Sequence, residues 1–263
     1  MTTLQQAIEQ TTVTGNKAFI PYIMAGDGGL ETLKPTILQL QQMEVTAIEV
    51  GIPFTDPVAD GPTIEQAGER ALAAGVTLRK VFETLASFKE EIHVPLVVMT
   101  YFNPVLAYGL EAFAEACVVG GVKGLIVPDV PLEESTILRE TLNPHGIDLV
   151  QLVSLTSPPE RIARIAAASQ GFVYAVTVNG ITGARTKFAH DLKEHFAHLR
   201  EVSHIPVLAG FGISTPEQVV SMGALGDGVI VGSAIVTALH EGNLTKVEAL
   251  VSASKGDLEK STL

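Results

Sequence analysis

Eight short apolar runs recur along the chain, each rich in β-branched residues and without strict alternation of polar and apolar positions. They are AFIPYIMAG, AIEVGIP, PLVVMTYF, GLIVPDV, DLVQLVS, FVYAVTV, PVLAGFG and GVIVGSA, starting at residues 18, 47, 95, 124, 148, 172, 206 and 228. Such runs are typical of parallel strands covered on both faces. The intervals leave room for a helix between successive strands. The pattern therefore predicts an α/β fold, a single-domain (β/α)8 TIM barrel over residues 1–263.

Helical patterns fill the intervals between these runs. Apolar residues recur at helical spacing from Leu78 to Ile92, opposite charged side chains, which predicts an outer helix. The amphipathic opening segment, with Leu4 and Ile8, is expected to form an extra N-terminal helix that covers the bottom of the barrel. Two further helices are predicted to start at serine caps, Ser157 in SPPE and Ser214 in STPEQ.

The loops after the second and sixth runs are enlarged. The starts of runs two and three lie 48 residues apart, whereas the other spacings are 22 to 34 residues. The excess holds PFTDPVADGPTIEQAGERALAAG, and NGITGARTKFAHD follows the sixth run. Active sites of such barrels are built from the loops at the C-terminal ends of the strands. These two loops are therefore expected to form the functional rim.

Composition narrows the classes of partner. A net charge of −12 and a pI near 5.0 oppose a basic nucleic-acid surface, while 46% hydrophobic content suffices for a large core. No apolar run approaches the roughly 20 residues of a membrane-spanning helix, and MTTLQQAIEQ does not have the features of a signal peptide. We therefore expect a cytoplasmic protein with small-molecule or protein partners, and its single cysteine, Cys117, in the core.

One carboxylate interrupts the second apolar run. If Ile48 and Val50 pack outward against helices, strand alternation points Glu49 into the barrel. Burial disfavours the charged form of a carboxyl, so its pKa should rise towards neutrality, where it could act as a general acid and base. The alternative is a structural ion pair, but no lysine or arginine lies within any of the eight runs.

The loop segments beside these runs carry further candidate residues. Asp56 in FTDP and Asp60 in VADGP could serve chemistry or simply make turns, since aspartate beside proline or glycine is common in turns. Glycines also mark three late strand ends, NGITG, GFGIS and VGSA. They would let backbone N–H groups approach an anion, and a helix starting at Ser233 would add its positive end. This corner of the barrel therefore favours a phosphate site over simple turns.

The sequence lacks the residue patterns that Schiff-base, metal and dinucleotide chemistry require. A Schiff base requires a lysine near a strand's C-terminal end, whereas Lys17 and Lys123 precede their runs. No histidines converge on a metal, and His190, His195 and His198 share one polar helical stretch that is expected to be solvated. AGDGGLET is too short a match for a dinucleotide-binding fingerprint. The sequence predicts carboxylate chemistry without a metal.

Several motifs together resemble the tryptophan synthase alpha chain family over nearly the whole length. The most specific is IEVGIPFTDPVADGP, and FIPYIMAGD, MTYFNPV, VPDVP, NGITGAR, AGFGIS and VGSAI lie in that family's order and spacing. The resemblance implies retro-aldol cleavage of indole-3-glycerol phosphate to indole and glyceraldehyde 3-phosphate, without metal or Schiff base. It implies that Glu49 is the acid–base group and that Asp60 accepts the indole N–H.

The resemblance assigns further residues by position. It implies that Tyr174 supports Glu49. It implies a phosphate site formed by Gly183, Gly212, Gly232 and Ser233. It implies an indole pocket, for which ordinary barrel filling is the alternative, formed by Tyr22, Ile64, Met99, Tyr101, Asp129 and Phe211.

The family's alpha chain works with a pyridoxal-phosphate β chain, to which indole passes through a tunnel. The resemblance therefore implies an α2β2 tetramer and no cofactor in this chain, with Asp56, Asn103 and Pro104 facing the partner. Two stretches depart from the family pattern: Gly28 replaces an expected proline, and VNGITGARTKF has an unusual lead-in and a basic continuation. The alternatives are a free-standing indole-3-glycerol-phosphate lyase, a catalytically silent activating subunit and a sugar-phosphate isomerase on the same barrel.

Overall fold

The structure, a computed structural model, describes residues 2–177 and 185–256, without the side chains of residues 185–190. Eight parallel strands close into a barrel in sequence order, which confirms the (β/α)8 prediction. The strands are β1 (Ala18–Met24), β2 (Ile48–Gly51), β3 (Leu96–Met99), β4 (Val122–Ile126), β5 (Asp148–Ser154), β6 (Val173–Val176), β7 (Val207–Gly210) and β8 (Gly228–Val231). The α-helices are α1 (Leu4–Val13), α2 (Leu33–Gln42), α3 (Pro62–Ala73), α4 (Leu78–Ser87), α5 (Phe102–Tyr108), α6 (Leu110–Val119), α7 (Thr136–Leu142), α8 (Pro159–Ala168), α9 (Arg185–Val202), α10 (Pro216–Gly223), α11 (Ser233–His240) and α12 (Leu244–Ser254).

The first helix closes the bottom of the barrel, as its amphipathic pattern predicts. Thr3 caps α1 with a capping box, because its hydroxyl accepts from the N–H of Gln6 while the Gln6 side chain accepts from the N–H of Thr3. Leu4 is fully buried. A Cβ added to Gly171, just before β6, would stand 2.8 Å from Leu4 Cδ2. Leu4 therefore seals the N-terminal end of the barrel.

The fourth strand begins earlier than its apolar run. It starts at Val122, which pairs with Leu96 on β3, so Lys123 lies within a strand. The expectation that no basic residue stands in the strands is therefore wrong. The charge of Lys123 acts on Asp148 at the start of β5, where it opposes the burial that raises the pKa of that carboxyl. It is not among the groups that shift the pKa of Glu49.

The excess length after β2 is an extra helix as well as a loop. Residues 52–61 lead into α3, and α4 follows before β3 begins. Helix α3 lies against β1 and α11, which places its first turn at the mouth of the barrel. The other enlarged loop, after β6, includes residues 178–184, which lie outside the described residues.

Two helix starts differ by one residue from their predicted positions. Pro158 instead of Ser157 is the N-cap of α8, without a side-chain cap bond. Thr215 instead of Ser214 caps α10, and its hydroxyl accepts from the N–H of Gln218. In both helices the first residue is a proline, whose fixed φ suits that position, so the proline sets the boundary.

Two helix residues, His195 on α9 and Cys117 on α6, are both buried. His195 is only 9% exposed, so the expectation of a solvated histidine stretch is wrong for this residue. It shares the buried face of α9 at helical spacing with Leu192, Phe196 and Leu199. Cys117 on α6 is buried as predicted, and burial raises the pKa of its thiol.

Across the described part of the chain, no single helix combines the length and apolarity needed to cross a membrane. The pair α5 and α6 meets those two criteria only when taken together, and its halves are bent by 94°.

Candidate active site

A cavity of about 230 Å³ opens at the C-terminal ends of the strands. It collects residues that lie far apart in the sequence, on seven of the eight strands and on the segments after β2, β4, β7 and β8. The sequence-predicted residues in its wall are Tyr22, Glu49, Asp60, Ile64, Met99, Tyr174, Phe211, Gly212, Gly232 and Ser233.

Glu49 points into this cavity from the centre of β2. Its neighbours Ile48 and Val50 are fully buried on the opposite face, as alternation requires. Glu49 itself is 4% exposed, and none of the salt bridges among the described residues includes it. Burial, followed by the negative charge of Asp60, raises the pKa of Glu49 to about 8. At neutral pH this carboxyl is therefore mostly protonated and can donate a proton.

Asp60 approaches the cavity from the loop before α3 and is in a more polar environment. Burial raises the pKa of Asp60 to about 6, and a hydrogen bond from the Tyr101 hydroxyl opposes that rise. The same hydroxyl accepts from the N–H of Ala59 at 3.1 Å, so Tyr101 holds this loop at two points. Asp60 is mostly ionised at neutral pH. The two carboxyls thus take opposite protonation states in one site.

Two tyrosines line the cavity by leaning over glycines. Tyr22 pairs with Glu49 across β1 and β2, and a Cβ on Gly51 would lie 1.9 Å from the Tyr22 hydroxyl oxygen. Tyr174 takes the same position over Gly210 on β7, where an added Cβ would lie 2.2 Å from Tyr174 Cε1. Both glycines make room for an aromatic ring, since any side chain there would displace it.

The segment after β7 has a strained backbone. Phe211 has a φ of 71°, in the left-handed region that aromatic residues rarely adopt, and its ring lies 5.7 Å from that of Tyr174. Thr177 is 4% exposed and its hydroxyl donates to the carbonyl oxygens of Gly210 at 2.6 Å and Phe211 at 2.7 Å. These bonds hold Phe211 in its strained conformation at the cavity wall.

Backbone N–H groups face the cavity beside this segment. Gly212 has a φ of 75°, and Gly232 is the N-cap of α11 without a side-chain cap bond. Ser233 is the first residue of that helix, so the unpaired N–H groups and the positive end of α11 meet the cavity. This arrangement suits a phosphate. Gly183 lies outside the described residues.

A family model described as tryptophan synthase alpha chain matches residues 8–262. The chain belongs to the tryptophan synthase alpha chain family. The tryptophan synthase alpha chain of Bacillus mycoides (strain KBAB4) is 50% identical over 241 residues, which are 92% of this chain and 93% of that relative. The tryptophan synthase subunit alpha from Legionella pneumophila str. Paris is 31% identical, with a TM-score of 0.87, and the match covers 98% of this chain and 99% of that chain. A structure of tryptophan synthase from M. tuberculosis, in an open form with BRD0059 bound, is 34% identical with a TM-score of 0.85 and similar coverage, 98% and 99%.

Membership of the tryptophan synthase alpha chain family confirms the resemblance drawn from the motifs. It identifies the chain as the alpha subunit of tryptophan synthase, a lyase of tryptophan biosynthesis. The cavity lies where TIM barrels place their active sites.

Some residues assigned by resemblance to this tryptophan synthase alpha site lie beside the cavity instead of in its wall. Tyr101 does not line the cavity, but its hydroxyl donates a hydrogen bond to Asp60, which does. Asp129 is exposed, and both of its carboxylate oxygens accept from the N–H of Phe102, at 3.0 and 3.2 Å, so it caps α5. Asp56 and Asn103 are exposed at the same end of the barrel, and Pro104 is half-buried.

The cavity wall also includes residues that sequence reasoning missed. They are Gly61, Ile126, Pro128, Leu152, Ile213, Ser214 and Ile230. Ile126, Leu152 and Ile230 stand at inward positions of β4, β5 and β8, so the alternation that directed Glu49 inward could also have found them. Within the described ranges, no group of three or more histidine, cysteine, aspartate or glutamate side chains could hold a metal ion.

Proposed function

We propose that this chain cleaves indole-3-glycerol phosphate to indole and glyceraldehyde 3-phosphate by carboxylate acid–base catalysis. The observation that supports it best is the pairing, in one cavity, of a mostly protonated Glu49 with a mostly ionised Asp60. No lysine is found in the described wall of this cavity, which favours a route without a Schiff base.

The proposed chemistry uses each carboxyl in the state that its environment favours. Protonated Glu49 delivers its proton to C3 of the indole ring, and ionised Asp60 accepts a hydrogen bond from the indole N–H as positive charge spreads onto that nitrogen. Glu49 then takes the proton of the glycerol hydroxyl. The bond between C3 and the glycerol carbon breaks, its electron pair restores the aromatic ring, and an aldehyde forms. Glu49 ends protonated, ready for the next turnover.

The remaining cavity residues would bind the two ends of the substrate. The indole ring would lie among Tyr22, Ile64, Met99 and Phe211, with Tyr101 and Asp129 supporting the pocket from outside its wall. Tyr174 would hold Glu49 in place. The phosphate would bind at Gly212, Gly232 and Ser233, together with Gly183.

We further propose that the chain uses no cofactor of its own and forms one domain over residues 1–263. It would pass indole to a β chain carrying pyridoxal phosphate, in an α2β2 tetramer. Exposed apolar residues favour such docking at the mouth of the barrel: Val58 is 73% exposed and Leu106 is 47% exposed, close in sequence to Asp56, Asn103 and Pro104. A free-standing lyase is the alternative.

The test is indole release from indole-3-glycerol phosphate by the parent chain and by Glu49→Gln. Glutamine keeps the shape of the side chain but cannot transfer the proton, so we expect loss of most activity, about 100-fold or more. Glu83→Gln, the same change on the exposed face of α4, is the matched control and should retain activity.

Three results would count against the proposal or refine it. A parent chain that releases no indole would end the lyase proposal. Full activity in Glu49→Gln would return Glu49 to a structural role. Strong stimulation of indole release by a pyridoxal-phosphate β chain would exclude the free-standing alternative.

A further inference from the structure

A cluster of charged side chains lies outside the cavity, at the loop that follows β1. The Nε and Nη2 atoms of Arg70 each donate to one carboxylate oxygen of Asp27, both at 2.7 Å. His240 Nδ1 stands 3.9 Å from the same carboxylate. The Asp27 side chain is 12% exposed and the Arg70 side chain 35%, so the carboxylate is largely shielded from water while the guanidinium is partly exposed. Such paired bonds fix geometry as well as supplying attraction.

The cluster connects the two helices that frame the cavity. Arg70 belongs to α3, which starts two residues after Asp60 and carries Ile64 in the cavity wall. His240 ends α11, whose first residue, Ser233, also lies in that wall. Helices α3 and α11 also lie against each other. One carboxylate on the first loop therefore contacts both helices.

The first loop has a defined shape that presents Asp27 to Arg70. Gly26 has a φ of 81°, and a Cβ added there would stand 2.4 Å from Cγ2 of Val76, which follows α3. Val76 thus packs directly on the loop. Gly28, which stands where the family pattern has proline, has a φ of 85°. Proline cannot adopt this φ, so the loop shape seen here requires a residue other than proline at this position.

We propose that Asp27 and Arg70 are positioning residues that orient α3 so that Asp60 faces the indole ring. This inference rests on the proposed function of Asp60. Only Gly61 separates Asp60 from the first residue of α3. A small rotation of the helix would therefore move the Asp60 carboxylate away from the indole nitrogen. Misplacement of about 1 Å is enough to lower a catalytic rate substantially.

The experiment compares Asp27→Asn, Arg70→Gln and Arg70→Lys with the parent chain. The matched controls are Glu133→Gln and Arg161→Gln, because Arg161 makes the same kind of two-pronged bond to Glu133, at 2.7 and 3.1 Å, between the loop after β4 and α8. We expect Asp27→Asn and Arg70→Gln to lower kcat for indole release about tenfold, with KM changed less than about threefold. Arg70→Lys, which keeps the charge but not the fork, should fall between them and the parent.

Ligand binding separates positioning from a general loss of structure. We expect Asp27→Asn and Arg70→Gln to weaken the binding of indole about twofold to threefold, measured by titration, in line with the small change in KM, while inorganic phosphate binds as in the parent. Parent-like kcat in these variants, or equal weakening of indole and phosphate, would overturn the proposal. If Asp27→Asn does not fold, Arg70→Lys carries the same comparison. A parent chain that binds indole but releases none from the substrate would refute the proposed function. The comparison of indole and phosphate binding would still test whether Asp27 and Arg70 orient α3.

Discussion

At the scale of single residues, Glu49 occupies an environment that opposes its ionisation. It is 4% exposed, and its largest pKa shift comes from burial, with Asp60 adding to it. A carboxyl in such a place destabilises the fold once it ionises, and the proposed acid–base role would account for its presence at this position.

Replacing Glu49 by glutamine should therefore stabilise the protein while removing activity. The folded-state pKa of Glu49, about 8, lies above the ordinary value of 4.5. The contribution of the protonated carboxyl to the free energy of unfolding is therefore fully present below pH 4.5 and is lost as pH rises towards 8. Glu49→Gln avoids that loss, and we expect its free energy of unfolding to exceed that of the parent by about 1–3 kcal/mol at pH 7. The excess should shrink as pH falls to 4.5.

Chemical denaturation at several pH values measures this difference. Glu83→Gln, on the exposed face of α4, is the control and should stay within about 0.5 kcal/mol of the parent. A stability difference between Glu49→Gln and the parent that is constant with pH would contradict the expectation, because it would show that ionisation of Glu49 is not its source.

Residue-scale prediction from sequence succeeded where a local rule applies. Strand alternation is sufficient to direct Glu49 inward, because its two neighbours are apolar. Asp60 could not be decided in the same way, since its setting depends on Tyr101, which reaches it from the end of β3 about 40 residues later. His195 was misjudged because the polar residues around it concealed its place on the buried face of α9.

At the scale of elements, the apolar runs predicted all eight strands, but not the helix that shapes the site. Helix α3 has a Pro at its first turn and a buried stripe that includes Ile64 and Ala67, yet it lies inside what the spacing suggested was one long loop. Its position against β1 and α11 is set by tertiary contacts, including the Asp27–Arg70 bond, that no local pattern encodes. For the same reason no sequence pattern indicated Thr177, although its hydroxyl bonds to Gly210 and Phe211 at the end of β7.

Replacing Thr177 by valine should loosen the wall that Phe211 and Gly212 form. Valine keeps the shape but removes the hydroxyl that donates to two carbonyl oxygens, those of Gly210 and Phe211. We expect the free energy of unfolding to fall by about 1–2 kcal/mol, since the carbonyl oxygen of Phe211 loses this donor and that of Gly210 keeps only the backbone N–H of Thr177. KM for indole-3-glycerol phosphate should rise severalfold because the strained backbone of Phe211 can then relax.

Steady-state kinetics and denaturant titration measure both effects. Thr84→Val removes a comparable hydroxyl-to-carbonyl bond, from Thr84 to Lys80 at 2.7 Å, on the exposed side of α4, and serves as the control. An unchanged KM in Thr177→Val would show that the bonds from Thr177 do not shape the binding wall.

At the scale of the whole molecule, both ends of the barrel expose apolar side chains, but the mouth also carries the two carboxyls of the candidate site. The bottom is sealed by Leu4 and covered by α1, and it exposes Val13 (87%) and, at the end of α6, Val118 (41%) and Val119 (57%). The mouth carries the cavity, whose wall includes the exposed Phe211, and the exposed apolar residues Val58 on the loop after β2 and Leu106 on α5. Exposed apolar side chains around a cavity mouth are expected where a partner must receive an apolar product without losing it to water.

Charge introduced at the mouth should therefore separate docking from catalysis. We expect Val58→Glu and Leu106→Glu to weaken association with a pyridoxal-phosphate β chain about tenfold or more, because a glutamate would lose its hydration in an apolar interface. Indole release by the isolated chain should remain close to the parent value, since neither side chain lines the cavity. Val13→Glu makes the same change at the bottom and should leave association unchanged. Sedimentation of mixtures with the β chain measures the affinity, and equal affinity of Val58→Glu, Leu106→Glu and the parent would place the partner on another face of the barrel.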